Sequence, residues 1–368
     1  MKMKKKGVVI ILKKIFICVF LICLMLTGCK GHNETEVLRE FANKVNNANS
    51  YYLTGQMELI NNEDVYNYNL QVSYKKDDNY KIELTNAIND HKQIILRNND
   101  GVYIITPSLN KSFKFQSDWP YNNSQVYLLS SLLDDINNDE NRTFEANDNG
   151  YVFISSVNYP NNEKLVKQKV YFGKDNLPTK VEVIDSDNNV QIKMNFDKID
   201  LRTEFNDTYF DLNSILKVSD NATNADSSSS GLQNQEPSDD NTNNGDGNES
   251  TKETATIDDI IYPMYLPVNT YLTKQERVNT EDGERLILTF TGDSPFVLME
   301  QIATYSDVPE IIPTYGSPEL IGSSLAVVND NSANWFDNGI EYYIVSDVMK
   351  SEELLQVVKS ISVLPVSK

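Results

Sequence analysis

Apolar and polar residues alternate through much of residues 51–196, and a period of two predicts half-buried antiparallel strands. The first element is an exception. Val37, Leu38, Phe41 and Val45 recur at helical spacing and predict an amphipathic helix over Glu34 to Ala48. Tyr51 to Ile60 then reads as a strand that ends at the polar turn Asn61-Asn62-Glu63-Asp64. Tyr66, Tyr68, Leu70, Val72 and Tyr74 alternate with polar residues, and Tyr80, Ile82 and Leu84 repeat the pattern. Gln93 to Leu96 and Val102 to Thr106 flank Asn98-Asn99-Asp100-Gly101, whose Asp-Gly step marks a hairpin. A second helix is expected over Ser124 to Ile136, with Leu129, Leu132, Leu133 and Ile136 on one stripe that Val126 and Leu128 widen. Tyr151 to Val157, Val166 to Phe172, Lys180 to Ile184 and Val190 to Phe196 complete a long meander. Many strands and two helices predict an α+β half-barrel, a curved sheet wrapped over a helix.

From Ser219 to Thr256 the pattern stops, and Leu232 is the only large apolar residue. Such a stretch buries too little to offset its ordering entropy and is expected to be disordered, with its ends roughly 35 Å apart. A smaller α+β unit follows. Tyr262 to Pro267 is an extended lead-in, Thr273 to Val278 and Leu286 to Phe290 pair across Glu281-Asp282-Gly283, and Tyr342 to Val345 is a strand. Ser351 is expected to cap a closing helix with Leu354, Leu355 and Val358 facing the core. The expected organisation is a signal segment (1–28), a half-barrel (29–218), a linker (219–256) and a C-terminal unit (257–368) free to move on its tether.

The N-terminus changes where this takes place. Six lysines up to Lys14 precede the apolar run Ile15 to Leu26, which is the length of a signal h-region and too short to span a bilayer. The run ends in Leu26-Thr27-Gly28-Cys29, which resembles a bacterial lipobox; Cys29 is the expected lipidation site, carrying diacylglycerol and palmitate-like acyl chains. The expected location is the outer face of the cytoplasmic membrane. All three cysteines lie in or at the end of this segment, so the exported chain depends on core burial without disulfides. The net charge of −20 becomes more negative once the signal lysines are removed, which argues against nucleic acid as a ligand.

Candidate chemistry is sparse. Of the two histidines, His32 stands near the anchor and His91 is expected in a solvated loop. No second histidine or cysteine completes a zinc site or a nucleophilic triad, and phosphate-binding and dinucleotide motifs are absent. No catalytic residue, metal site or cofactor is expected. Asp185-Ser186-Asp187-Asn188-Asn189 resembles the start of a calcium loop, but it lacks the glycine at position 6 and has Phe196 at the position of the bidentate Glu, so a hairpin turn is expected. Asp134 and Asp135 are expected on a solvated helix face. The tyrosines on alternating strand positions suit either a cavity lining or a core, and the core is expected. Trp119, followed by Pro120, is expected to plug one end of the barrel.

The stretch NNDGVYIITPSLNKSFKFQSDWPYNNSQVYLLSSLLDDI, from Asn98 to Ile136, resembles the core motif of clostridial GerS-type spore germination lipoproteins and of YdcC-related sporulation lipoproteins, within the LolA-like superfamily. Val170-Tyr171-Phe172-Gly173 and Leu177-Pro178-Thr179-Lys180-Val181 resemble that superfamily's strand–turn–strand. The resemblance covers roughly Glu34 to Leu212. It implies an incomplete antiparallel barrel with a helix lid. It also implies a non-enzymatic activity, exercised on a cortex N-acetylmuramoyl-L-alanine amidase as protein partner. Trp119, Pro120, Tyr127 and Leu128 are the motif residues expected to serve as lid or partner-binding surface. The alternatives are a LolA-like lipid or lipoprotein carrier and an RseB-like envelope sensor. The stretch from Trp335 to Leu355 resembles an uncharacterised unit at the C-termini of Gram-positive envelope proteins.

Overall fold

The structure is a computed structural model that describes residues 33–61, 64–115, 117–121, 123–216, 257, 259–280 and 283–361. The signal segment with Leu26, Thr27, Gly28, Cys29 and His32 lies outside the described residues, as do residues 219–256.

Helix α1 (Glu34–Asn47) is capped by Asn33, whose side chain accepts a hydrogen bond from the Glu36 N–H, and it buries Val37, Leu38, Phe41 and Val45. A meander follows: β1 (Ser50–Asn61), β2 (Asp64–Lys75), β3 (Asn79–Asn86), β4 (Lys92–Asn98), β5 (Gly101–Thr106) and β6 (Lys111–Phe115). Helix α2 (Leu129–Asn138) leads to a second meander: β7 (Thr143–Asn147), β8 (Gly150–Ser156), β9 (Leu165–Phe172), β10 (Pro178–Asp185) and β11 (Val190–Asp200). Antiparallel pairing of β1 with β11 fuses the two meanders into one sheet. The C-terminal part contributes β12 (Thr270–Thr280), β13 (Gly283–Gly292), β14 (Phe296–Ile302), β15 (Glu310–Pro313), β16 (Ser317–Ile321), β17 (Ser324–Val328), β18 (Ser332–Asp337), β19 (Ile340–Val345) and α3 (Ser351–Lys359).

These strands form a 12-stranded sheet ordered β15-β6-β5-β4-β3-β2-β1-β11-β10-β9-β8-β7 and a 7-stranded sheet ordered β12-β13-β14-β19-β18-β17-β16. The α+β class and the open, curved sheet under helices hold. One face of the large sheet supplies Tyr51, Tyr68, Tyr80 and Met194 to a core shared with Phe41 of α1 and Leu132 of α2, so these tyrosines are core residues. The opposite face of β4 and β5 is buried as well, because Phe210, Leu212 and Leu216 pack on Ile94, Leu96 and Ile105. Double-sided burial explains why these two strands lack alternation.

Three expectations are corrected. Helix α2 begins at Leu129 and not at Ser124, because Ser124 pairs with Asn158 and a separate turn follows: the Ser124 N–H donates to Asn158 O (2.8 Å), Ser124 Oγ accepts from the Asn158 N–H (2.8 Å), and the Leu128 N–H donates to Gln125 O (3.1 Å). Lys350 and not Ser351 occupies the N-cap of α3, without a side-chain cap bond, while Leu354, Leu355 and Val358 are buried as expected. The C-terminal part does not stand free of the first sheet. Strand β15 pairs in parallel with β6, and Leu325, Val327 and Phe336 enter the large sheet's core.

Candidate functional site

The motif stretch folds as β5, β6, the crossing segment 117–128 and α2. Trp119 is 2% exposed and meets Tyr80 of β3 edge-on at 6.2 Å, with the Arg97 guanidinium donating to its carbonyl. Pro120, Tyr127 and Leu128 are buried too. Trp119, Pro120 and Leu128 therefore anchor this segment to the sheet, whereas Tyr127 lines the larger cleft described below. The motif exposes Tyr121, 54% accessible and over Arg97, and Asp134 on the outer side of α2, besides Asn99, Asp100, Ser108 and Asp118.

Asp134 is exposed, as a solvated face requires, but Asp135 is not on such a face. Asp135 points into a small cleft of about 200 Å³ bordered by Ser124, Ser131 and Asn158. It accepts hydrogen bonds from Ser124 Oγ and Gln168 Nε2, each at 3.0 Å. Burial pushes its carboxyl up to about 7; Asp134 adds to the rise and the two hydrogen bonds oppose it. Asp185 holds a turn, as expected: its Oδ1 accepts from the N–H of Asp187 and of Asn189 at 2.9 and 2.8 Å.

His91 is half-buried at the contact with the C-terminal sheet and not in a solvated loop. Burial holds its imidazole below the usual range, against the pull of Asp337. Asp337 accepts from Ser323 Oγ and Ser324 Oγ at 2.8 and 3.0 Å, and burial pushes its carboxyl up. Around this pair the two sheets interlock. Phe336 stacks on Phe113 with ring centroids 5.2 Å apart. The Leu325 N–H donates to Gln93 Oε1 at 2.6 Å, and the Tyr68 hydroxyl donates to the Gly322 carbonyl. Trp335 stays within the smaller sheet, stacked on Tyr342 at 5.0 Å.

Where the mouth of the half-barrel meets the C-terminal unit there is a cleft of about 610 Å³. Met57, Leu84, Ile95 and Leu325 line its apolar side; Tyr127, Tyr159, Glu319 and Lys359 line its polar side. Sequence reasoning had no means to find it, because its walls come from segments hundreds of residues apart. Among the described residues, no helix is long and apolar enough to cross a membrane.

Several known proteins are similar to this chain. The solved complex of the CwlD amidase from Clostridioides difficile with the GerS lipoprotein matches over 49% of this chain and 100% of the other, at 19% identity and a TM-score of 0.28. A LolA superfamily protein from Nitrosomonas europaea matches over 50% and 100%, at 12% identity and a TM-score of 0.29. The sporulation protein YdcC of Bacillus subtilis (strain 168) is 32% identical over 363 residues, 98% of each chain. The family model for YdcC-like sporulation proteins matches residues 5–210. The chain belongs to the YdcC-like sporulation protein family.

Proposed function

We propose that this chain is a lipid-anchored, non-enzymatic partner protein of the sporulating envelope and that its partner is a cortex N-acetylmuramoyl-L-alanine amidase. Membership of a sporulation family along nearly the whole chain carries the reading. The resemblance of Asn98 to Ile136 to the GerS-type motif supplies the partner class. With Trp119, Tyr127 and Leu128 buried, the contact falls to the outer side of that motif, Tyr121 with Asp134. Its acidic character, on a chain of net charge −20, suits a basic partner face. A protein without chemistry of its own activates an enzyme by binding the competent state more tightly than the idle one.

The test is co-purification of the chain with the amidase of the same cell, together with muramic-δ-lactam analysis of spores that lack the chain. Loss of lactam with a recoverable complex is expected, and Tyr121→Ala with Asp134→Lys weakens the complex at least about tenfold. Normal lactam content without a complex removes the amidase from the reading. Anchoring is tested separately: Cys29→Ala abolishes labelling by a fatty-acid analogue, and label retained by the variant refutes the lipobox.

A further inference from the structure

The cleft between the half-barrel mouth and the C-terminal unit holds an unusual set of polar groups. Glu319 is fixed by Asn161, whose Nδ2 donates to Oε1 at 2.8 Å, leaving Oε2 without a hydrogen-bond partner among the described residues. The same cleft is lined by Tyr127, Tyr159 and Lys359, whose polar side-chain atoms make no hydrogen bond among the described residues, and further by Lys164, Asp185, Asp187 and Glu352. Lys359 makes no ion pair with Glu319, although each shifts the other's titration. Lys359 is also tied to the first unit by its backbone, because its carbonyl accepts from Asn61 Nδ2 at 3.3 Å.

These groups are open to water in the cleft, and an occupant that displaces that water must replace its hydrogen bonds or leave a donor or acceptor unmet. An occupant that satisfies this set supplies acceptors to the two hydroxyls and the ammonium, a donor to Glu319 Oε2, and apolar groups to Met57, Leu84, Ile95 and Leu325. A volume of about 610 Å³ is ample for a ligand of that kind. An acyl-chain anion gives Glu319 nothing but a like charge. A peptide amino terminus suits Glu319 but opposes Lys359. The carboxy-terminal end of a peptide meets every requirement, since its carboxylate accepts, its last amide N–H donates and its side chains are apolar by choice.

We propose that this cleft binds the carboxy-terminal end of an extended peptide with apolar last residues. The carboxylate lies on Lys359, Tyr127 and Tyr159, the last backbone N–H donates to Glu319, and the side chains lie on the Met57–Leu325 side. Because one wall of the cleft comes from each unit, such a ligand also bridges them.

The test uses the chain from Lys30 to Lys368, which retains every described element, and the probe Gly-Ser-Ala-Leu-Val-Leu labelled at its amino end. Fluorescence anisotropy compares the free acid with the C-terminal amide. The acid is expected to bind at least tenfold more tightly than the amide. Lys359→Met removes most of that difference, and Tyr159→Phe weakens the acid severalfold with a single oxygen deleted. Appending the same six residues to a folded carrier domain tells the source: binding of the fusion points to protein termini, and binding of the free peptide alone points to small peptides. Equal affinity for acid and amide, or an unchanged acid affinity in a folded Lys359→Met variant, overturns the proposal. So does hexadecanoate binding that depends on Lys359 when the peptide does not bind.

Discussion

Asp135 is a carboxylate that the fold keeps against its preference. Its surroundings raise its folded pKa to about 7, well above the ordinary aspartate value near 4. Between those two values the native state binds more protons than the unfolded chain, so this residue makes stability fall as pH rises. The penalty is absent below about pH 4 and complete above about pH 7. Asp135→Asn is therefore expected to stabilise the protein by about 2 kcal/mol at pH 8 and by little at pH 4, with allowance for partial solvent access. Urea unfolding at the two pH values checks this, and an equal change at both contradicts it. Sequence alone placed Asp135 correctly near the end of a helix and wrongly in solvent. Ser124 and Gln168, which enclose it, come from a non-helical segment and from β9, and their approach is a tertiary fact. His91 was misjudged for the same reason: Asp337 reaches it from the other sheet.

Among the elements, the alternating strands were legible where one face of the sheet stays open, as in β2 and β3. Strands β6, β7 and β14 to β18 were not. Every residue of Ser324–Val328 is buried, so β17 has no polar face to create a period, and Glu310–Pro313 is too short to carry one. At the seam between the meanders, the register of β1 against β11 shifts between Thr54 and Gly55. A Cβ on Gly55 would stand 2.2 Å from the Asn195 carbonyl oxygen, a backbone atom that only a movement of β11 can withdraw. Gly55→Ala is therefore expected to cost about 1–3 kcal/mol, read as a lower urea midpoint. An unchanged midpoint would mean that the seam is looser than this close approach requires.

At the scale of the whole molecule, the smaller sheet keeps a core of its own around Leu298 and Trp335 but lends Leu325, Val327 and Phe336 to the core of the large one. Cleavage within 219–256 is expected to be fast, and the two products are expected to stay together on gel filtration, because β15, Leu325 and Phe336 remain seated. Phe336→Ala leaves Phe113 without its stacking partner and should cost about 3–5 kcal/mol. The nicked variant is then expected to separate into two peaks. Separation of the nicked wild type would show the contact to be too weak to matter. The joint was not legible in the sequence, because nothing local in Glu310-Ile311-Ile312-Pro313 announces a parallel partner.

That joint also imposes an order of events on folding during synthesis. Ser112 of β6 donates to Glu310 O, 198 positions further along the chain. The large sheet therefore keeps an unpaired edge, with Phe113 bare beside it, until most of the polypeptide has been made. Unpaired edges recruit strands from other chains. A chain ended at Leu216 should accordingly self-associate in a concentration-dependent way, detectable by light scattering, whereas the full chain stays monodisperse. Chain elongation thus leaves a window in which the nascent protein is adhesive, and its own last hundred residues close that window.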